Sequence, residues 1–207
     1  MHDDIDRRLG GRAAVVMRDS GGGAVLTGPW LVSASVVLPH AHPWSGAGLI
    51  DSYRRLGQLH AAALRELGVP ARSVPPRELP RARDPCGLTT VDWACFGSLA
   101  PWELVSADGR KLTGLAQRRC QAGVLLVAGT LVDAADWPLL CDAMGHPEHE
   151  PTLRQRTSCA TELAGQRIDA DRFASVLSRH LTCALSEAGD GSQRGETADR
   201  PGEQQCA

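Results

Sequence analysis

Gly109-Arg110-Lys111-Leu112-Thr113-Gly114-Leu115-Ala116-Gln117-Arg118-Arg119 is the stretch on which the reading of this chain turns. Asp108-Gly109 at its entrance is a strong turn dipeptide. The residues that follow alternate: Leu112, Gly114 and Ala116 fall on one face, Lys111, Thr113 and Leu115 on the other. That period marks a strand exposed on one side. Its basic residues stand at the ends and its middle is small. Gly114 and Ala116 leave room for a ligand against the backbone, and a lysine beside such a gap can meet negative charge that develops there. The bland alternative is a solvated lysine on an edge strand.

A second segment lies upstream. Arg18-Asp19-Ser20-Gly21-Gly22-Gly23-Ala24-Val25 follows an apolar run, Ala13 to Met17. Three consecutive glycines permit positive φ and close approach of backbone to a ligand. A flexible hairpin loop is the plainer reading.

Together the two segments resemble the catalytic domain shared by lipoate-protein ligase A, octanoyltransferases and, more distantly, biotin-protein ligases. The lipoyl branch carries an Arg-Arg-Ser/Thr-Gly-Gly-Gly-Ala-Val loop and, later, a Gly-Arg/Lys-Lys-hydrophobic-x-Gly-x-Ala-Gln strand. Here these are Arg18 to Val25 and Gly109 to Gln117, and the resemblance runs from about Val15 to about Met144. Some octanoyltransferases also carry Cys-Phe before the lysine strand, then Tyr/Trp-Glu-hydrophobic; this chain has Cys95-Phe96 and Trp102-Glu103-Leu104-Val105. The chain departs from the pattern in places. Asp19 replaces the second arginine, Val127-Ala128-Gly129 replaces a common Gln-His-Gly, and an Asn-Asp found ahead of the lysine in many ligases is not evident. The family's first strand–helix–strand unit normally precedes the glycine loop, but only 17 residues precede Arg18, so the chain reads as shortened at its N-terminus.

Bulk properties bound the rest. With 207 residues, 43% hydrophobic and 22% charged, the chain suits one soluble globular domain. A net charge of −2 suggests neither nucleic acid nor an anionic membrane as partner. No apolar run is long enough for a membrane span and Met1 to Arg8 is no secretory signal, so a cytoplasmic location is expected. The seven cysteines are scattered without Cys-x-x-Cys, which reads as reduced, mostly buried thiols. His40 and His42 flank Ala41, and His146 and His149 bracket Pro147-Glu148; both pairs sit in proline-containing loops, and no metal site is expected from either.

The expected elements are a flexible lead-in at 1–12, a catalytic domain at 13–188 and a disordered tail at 189–207. Strands are expected at Ala13–Met17, Leu31–Leu38, Val69–Val74, Trp102–Val105, Lys111–Arg118 and Gly123–Leu131. Helices are expected at Leu49–Leu67, Asp136–Met144 and Asp171–Leu185, with Pro75–Pro85 as irregular loop. Irregular alternation with a late hairpin cluster favours an α+β fold. The resemblance implies the same: a central mixed, mainly antiparallel sheet flanked by helices, as in class II synthetases and biotin/lipoate ligases, with the cleft across its face.

What the resemblance implies chemically is acyl transfer to a lysine of a lipoyl-domain protein. An apolar slot is needed for a medium chain, with Val36, Leu38, Leu115, Val124, Leu126 and Ala128 as expected walls. Burying about seven methylenes at about 0.8 kcal/mol each yields roughly 5 kcal/mol. Arg18, Ser20, Gly21, Gly22, Gly23, Ala24, Gly114, Ala116 and Gln117 are the expected substrate-binding residues. Two mechanisms stay open. In a transferase, Cys95 takes the acyl group from octanoyl-acyl carrier protein, its thiolate favoured by Lys111, with no cofactor. In a ligase, ATP and Mg²⁺ activate free lipoate or octanoate as an acyl-adenylate, with Lys111 neutralising phosphate. Asp19 would repel that phosphate. A buried, inert Cys95 is the plain alternative, and a non-catalytic acyl-binding module or half-enzyme completed by a partner is a third reading. Biotin ranks last among substrates.

Overall fold

The computed structural model describes residues 2–18, 22–46, 48–82 and 88–195. Eight helices and five strands are present among them: α1 (His2–Leu9), β1 (Leu31–Leu38), α2 (Pro43–Gly46), α3 (Leu49–Glu66), β2 (Arg72–Ser73), α4 (Leu79–Ala82), β3 (Leu104–Val105), β4 (Lys111–Cys120), β5 (Gly123–Leu131), α5 (Trp137–Met144), α6 (Glu150–Arg156), α7 (Ala160–Ala164) and α8 (Ala170–Gly195). Short 3₁₀ turns lie at Pro76–Glu78 and Pro147–His149. The strands form one sheet in the order β1-β5-β4-β3-β2, every neighbouring pair antiparallel. Parallel pairing is confined to two isolated bridges, Ala24 to Ala94 and Lys111 to Thr157. The α+β expectation with a mainly antiparallel sheet therefore holds. No helix among the described residues is long and apolar enough to cross a membrane.

Alternation divides the sheet into two unlike faces. On β5, Val124, Leu126, Ala128 and Thr130 are buried, while Leu125, Val127 and Gly129 between them are half-buried. On β1, Val36 and Leu38 are buried and Ser33, Ser35 and Val37 are exposed. The buried set joins α3 and α8 in the main core, with Leu56, Leu64, Phe173 and Leu177. Across it, the Thr113 and Thr130 hydroxyls satisfy each other at 2.9 Å. The opposite face carries Gly114, Ala116, Gly129, Ser33 and Ser35, and forms the floor of a cleft.

Several local expectations shift. Leu31–Leu38 and Gly123–Leu131 fall as expected, and α3 and α5 begin and end within a residue of expectation. Asp136 caps α5 by accepting from Leu139 N at 3.0 Å, and Gly145 at φ 81° ends it. Residues 1–12, read as a flexible lead-in, include α1, whose Leu9 is buried and whose Arg8 donates to Ala143 O at 3.3 Å. Ala13–Met17 forms no strand. It finds no ladder partner among the described residues, and Val16 and Met17 are left exposed. The Val69–Val74 strand shrinks to β2, and Pro75–Pro85 contains a 3₁₀ turn and α4, its last three residues lying outside the described part. Helices α6 and α7 were not expected. Helix α8 runs past Gly189 to Gly195. A glycine inside a helix costs about 1 kcal/mol, too little alone to end it; residues 196–207 are outside the described part.

His60, on the apolar stripe of α3, is only 1% exposed and bonds Leu56 O through Nδ1 at 2.8 Å. Burial pushes its pKa down to about 4. The folded state thus keeps the ring neutral, while the unfolded chain protonates it near pH 6.5. Stability from this site is full above pH 6.5 and is lost as pH falls toward 4, roughly 3 kcal/mol in all. Urea melts at pH 7 and pH 4.5 should show that loss in the wild type, and His60→Gln should flatten this part of the profile.

Candidate active site

The site is built where β3 meets β4. The Asp108-Gly109 turn forms as expected, with Gly109 at φ 88° and Ser106 N donating to Arg110 O at 2.9 Å. An irregularity in the ladder between Leu104 and Val105 sets the register ahead of Lys111. Just before β3, Trp102 adopts φ 66°, the only positive φ outside glycine among the described residues. Helix α3 lies directly on this bend: a Cβ on Gly57 would stand 2.2 Å from Trp102 O, so only glycine fits there. The bend delivers Glu103 into the interior.

Glu103 and Lys111 form an ion pair of 2.8 Å with side chains 3% and 6% exposed. Glu103 also accepts from Ala100 N at 2.7 Å and from Leu115 N at 2.9 Å. Lys111 Nζ donates further to Cys95 O at 2.8 Å and Ser98 O at 2.9 Å, and stands 5.4 Å from the Phe96 ring centroid. Three acceptors thus match the three N–H groups of an ammonium. The amine expected to meet substrate clamps the backbone on both sides of Phe96.

Cys95 is held from its other side by the glycine loop. Its N–H donates to Ala24 O at 2.8 Å, and Ala24 N donates to Trp93 O at 2.6 Å. A Cβ on Gly23 would stand 2.3 Å from Trp93 O, which explains the last glycine of the run. Arg18 Nη2 closes the loop onto Gly23 O at 2.7 Å. The Cys95 thiol is half-buried and faces the small-residue side of β4. A Cβ on Gly114 would lie 3.6 Å from Cys95 Sγ, 3.5 Å from Lys111 Cε and 3.6 Å from Glu103 Oε1. Over this point opens a cavity of about 310 Å³ lined by Arg18, Val25, Thr27, Leu31, Ser33, Cys95, Phe96, Gly114, Leu115, Ala116, Leu125, Val127 and Gly129. Tyr53 of α3 is buried near the same charges. Burial pushes its hydroxyl up to about 12, with Glu103 and Cys95 adding to the effect, so it stays a phenol.

The structure brings together Arg18, Cys95, Gly114 and Ala116. Gly22, Gly23 and Ala24 border a neighbouring cavity of about 350 Å³ between the loop, α1 and α5, with Arg18 and Val25 shared by both. Lys111 lines neither. Ser20 and Gly21, like Asp19, lie outside the described residues. Gln117 lies on the opposite face from Gly114 and Ala116, its amide beside the Arg119 guanidinium. The expected slot needs the same correction. Val36, Leu38, Val124, Leu126 and Ala128 sit on the helix-covered face as core, and the cleft walls are Leu31, Ser33, Leu125, Val127 and Gly129. Glu103 and Tyr53 had no assigned role from sequence. The available signal for Glu103 was its place in the Trp102-Glu103-Leu104-Val105 motif.

The fold is that of lipoate and biotin protein ligases. A Thermoplasma acidophilum protein described as a putative lipoate protein ligase with bound lipoic acid superposes with TM-score 0.60 at 18% identity, covering 90% of this chain and 65% of that one. A lipoate-protein ligase A bound with ATP gives 0.61 at 19%, covering 88% and 63%. Biotin protein ligase from Aquifex aeolicus gives 0.51 at 14%, covering 76% and 54%. In sequence, residues 7–182 match the lipoyl protein ligase A/B catalytic domain, and the chain belongs to that family. Among curated relatives, octanoyltransferase LipM of Symbiobacterium thermophilum is 31% identical over 88% of this chain and 68% of its own length. Octanoyltransferase LipM of an Exiguobacterium strain is 37% identical over 71% and 52%, and that of Moorella thermoacetica 35% over 81% and 60%. The chain thus spans about half to two thirds of the length of these relatives.

Proposed function

We propose that this chain transfers an octanoyl or lipoyl group to a lysine of a lipoyl-domain protein through a thioester on Cys95. The observation that supports this most is the placement of the thiol: half-buried, at the mouth of a cavity floored by Gly114, Ala116 and Gly129. About 310 Å³ is at the lower end of small-ligand pockets, a size suited to a medium acyl chain. The Cys95 thiolate attacks the thioester of octanoyl-acyl carrier protein, and the carrier's thiol leaves with the proton. The acceptor lysine amine then attacks the Cys95 thioester, forming the amide and restoring the thiol. In this reading Lys111 acts through the backbone it holds, as a positioning residue. Neither step needs a cofactor, and the carriers it calls for place the reaction in the cytoplasm. ATP and Mg²⁺ belong to the ligase alternative, which loses support because the Lys111 amine is already matched by protein acceptors. A half-enzyme completed by a partner is favoured by one observation, the exposed and unpaired Val16-Met17 segment.

Incubating the chain with octanoyl-acyl carrier protein without ATP should add one octanoyl group to its intact mass, labile to hydroxylamine. Absence of any adduct would sink the proposal. Gly114→Ala should fold normally, since its Cβ meets only ordinary contacts of 3.5–3.6 Å. The methyl would nevertheless fill the point shared by thiol and substrate. Acylation should fall by roughly tenfold or more with the melting temperature nearly unchanged, a split that points to the cleft rather than to packing.

A further inference from the structure

Outside the acyl cleft, the loop after α5 gathers two imidazoles and a carboxylate. Gly145 ends α5 in the left-handed region, and the 3₁₀ turn Pro147–His149 follows at once. This turns residues 146, 148 and 149 to one side. One ligand atom from each of His146, Glu148 and His149 lies within 4.8 Å of the other two. His146 Nδ1 is 3.1 Å from Glu148 Oε1. The two imidazole centroids are 5.2 Å apart with planes inclined by 27°. Two imidazoles sharing a tetrahedral zinc at Zn–N of about 2.0 Å stand with centroids roughly 5 Å apart, which matches this spacing; from their stacked orientation the rings must turn for their nitrogens to converge on one ion. None of the three lines either cavity described above.

Trp93 defines the state of this cluster. Its ring stacks on His146 at 5.6 Å, and its Nε1 donates to His149 Nδ1 at 2.9 Å. Indole N–H can only donate, so His149 Nδ1 carries a lone pair and the proton of the neutral ring is on Nε2. A metal needs an unprotonated nitrogen. If it takes Nδ1, it displaces the indole. If it takes Nε2, the proton must move to Nδ1, which then faces the indole N–H donor to donor. Either route breaks the Trp93 bond.

We propose that His146, Glu148 and His149 form a binding site for a divalent transition-metal ion of the zinc class, filled at the expense of the Trp93–His149 hydrogen bond. Two imidazoles and one carboxylate suit Zn²⁺ over the oxygen-seeking Mg²⁺ or Ca²⁺. This site is independent of the acyl-transfer reading.

The test is equilibrium dialysis of the full 207-residue chain against Zn²⁺ alone. Because thiols elsewhere can also take zinc, the readout is a difference: His146→Ala/His149→Ala should bind one equivalent less than wild type. Zn²⁺ should change tryptophan emission in the wild type, and that change should vanish in Trp93→Phe. Glu148 is exposed, so Glu148→Gln keeps the fold and should weaken this site about tenfold or more; it decides the matter if the double variant does not fold. Equal stoichiometry in wild type and folded double variant, or unchanged affinity in Glu148→Gln, overturns the proposal.

Discussion

Cys95→Ala is expected to lose the covalent octanoyl adduct completely and to slow transfer to a lipoyl domain by at least about 10³-fold, with folding intact. Removal of a nucleophile leaves only binding and orientation to drive the reaction. No other described thiol lines the cavity, and Cys120 is exposed at the far end of β4. Burial pushes Cys141 up to about 11 and raises Cys159, while Cys183 is raised by its hydrogen bond to Glu187. Cys86 and Cys206 lie outside the described residues. Intact-mass analysis of the variant beside wild type checks this. A variant that still carries the octanoyl group, or still transfers it at the wild-type rate, would remove Cys95 from the mechanism.

The second large effect falls on stability. Glu103 accepts from three donors at once: Lys111 Nζ, Ala100 N and Leu115 N. Glu103→Gln keeps the shape but supplies one oxygen and one NH₂, so a donor must face a donor, and a buried ammonium loses its counter-charge. Breaking a buried pair from one side costs about 3–5 kcal/mol. For a chain of this size that is roughly 10 °C of melting temperature. Lys111→Met should be similarly harmful, because it leaves Glu103 charged and buried. The double variant Glu103→Leu/Lys111→Met should recover much of the loss, since removing both charges together is often neutral. Thermal melts of the three variants test the coupling. Additive losses in the double variant would mean the two side chains do not act as a pair.

How much of this was legible in sequence follows from which interactions are local. The Asp108-Gly109 turn, the period-2 alternation of β5, and the stripe of α3 are written in adjacent residues, and all formed; β4, expected to be exposed on one side, is instead buried on both faces from Lys111 to Ala116. The motifs at Arg18–Val25 and Gly109–Gln117 identified the family correctly. The period also separated Gly114 and Ala116 from Leu115, but it could not say which face the helices cover. The apolar walls were therefore assigned to the core side. The surroundings of Lys111 were hidden for a similar reason. Glu103 is delivered by the bend at Trp102 that packs on Gly57, and the Cys95 and Ser98 carbonyls by the preceding loop, and no local pattern announces these contacts. The His146–Glu148–His149 cluster shows the same limit, because its third dimension is supplied by a 3₁₀ turn and by Trp93, more than fifty residues earlier.

Lys111 is the only lysine in the chain; every other basic side chain except histidine is arginine. A protein that carries an activated acyl group is a hazard to its own surface amines, which would capture the group and stall the cycle. Here guanidinium groups, poor nucleophiles at neutral pH, occupy the exterior, and the solitary ε-amine is locked between a carboxylate and two carbonyls. On the proposed mechanism, no free lysine side chain of this chain competes with the acceptor lysine for the acyl group.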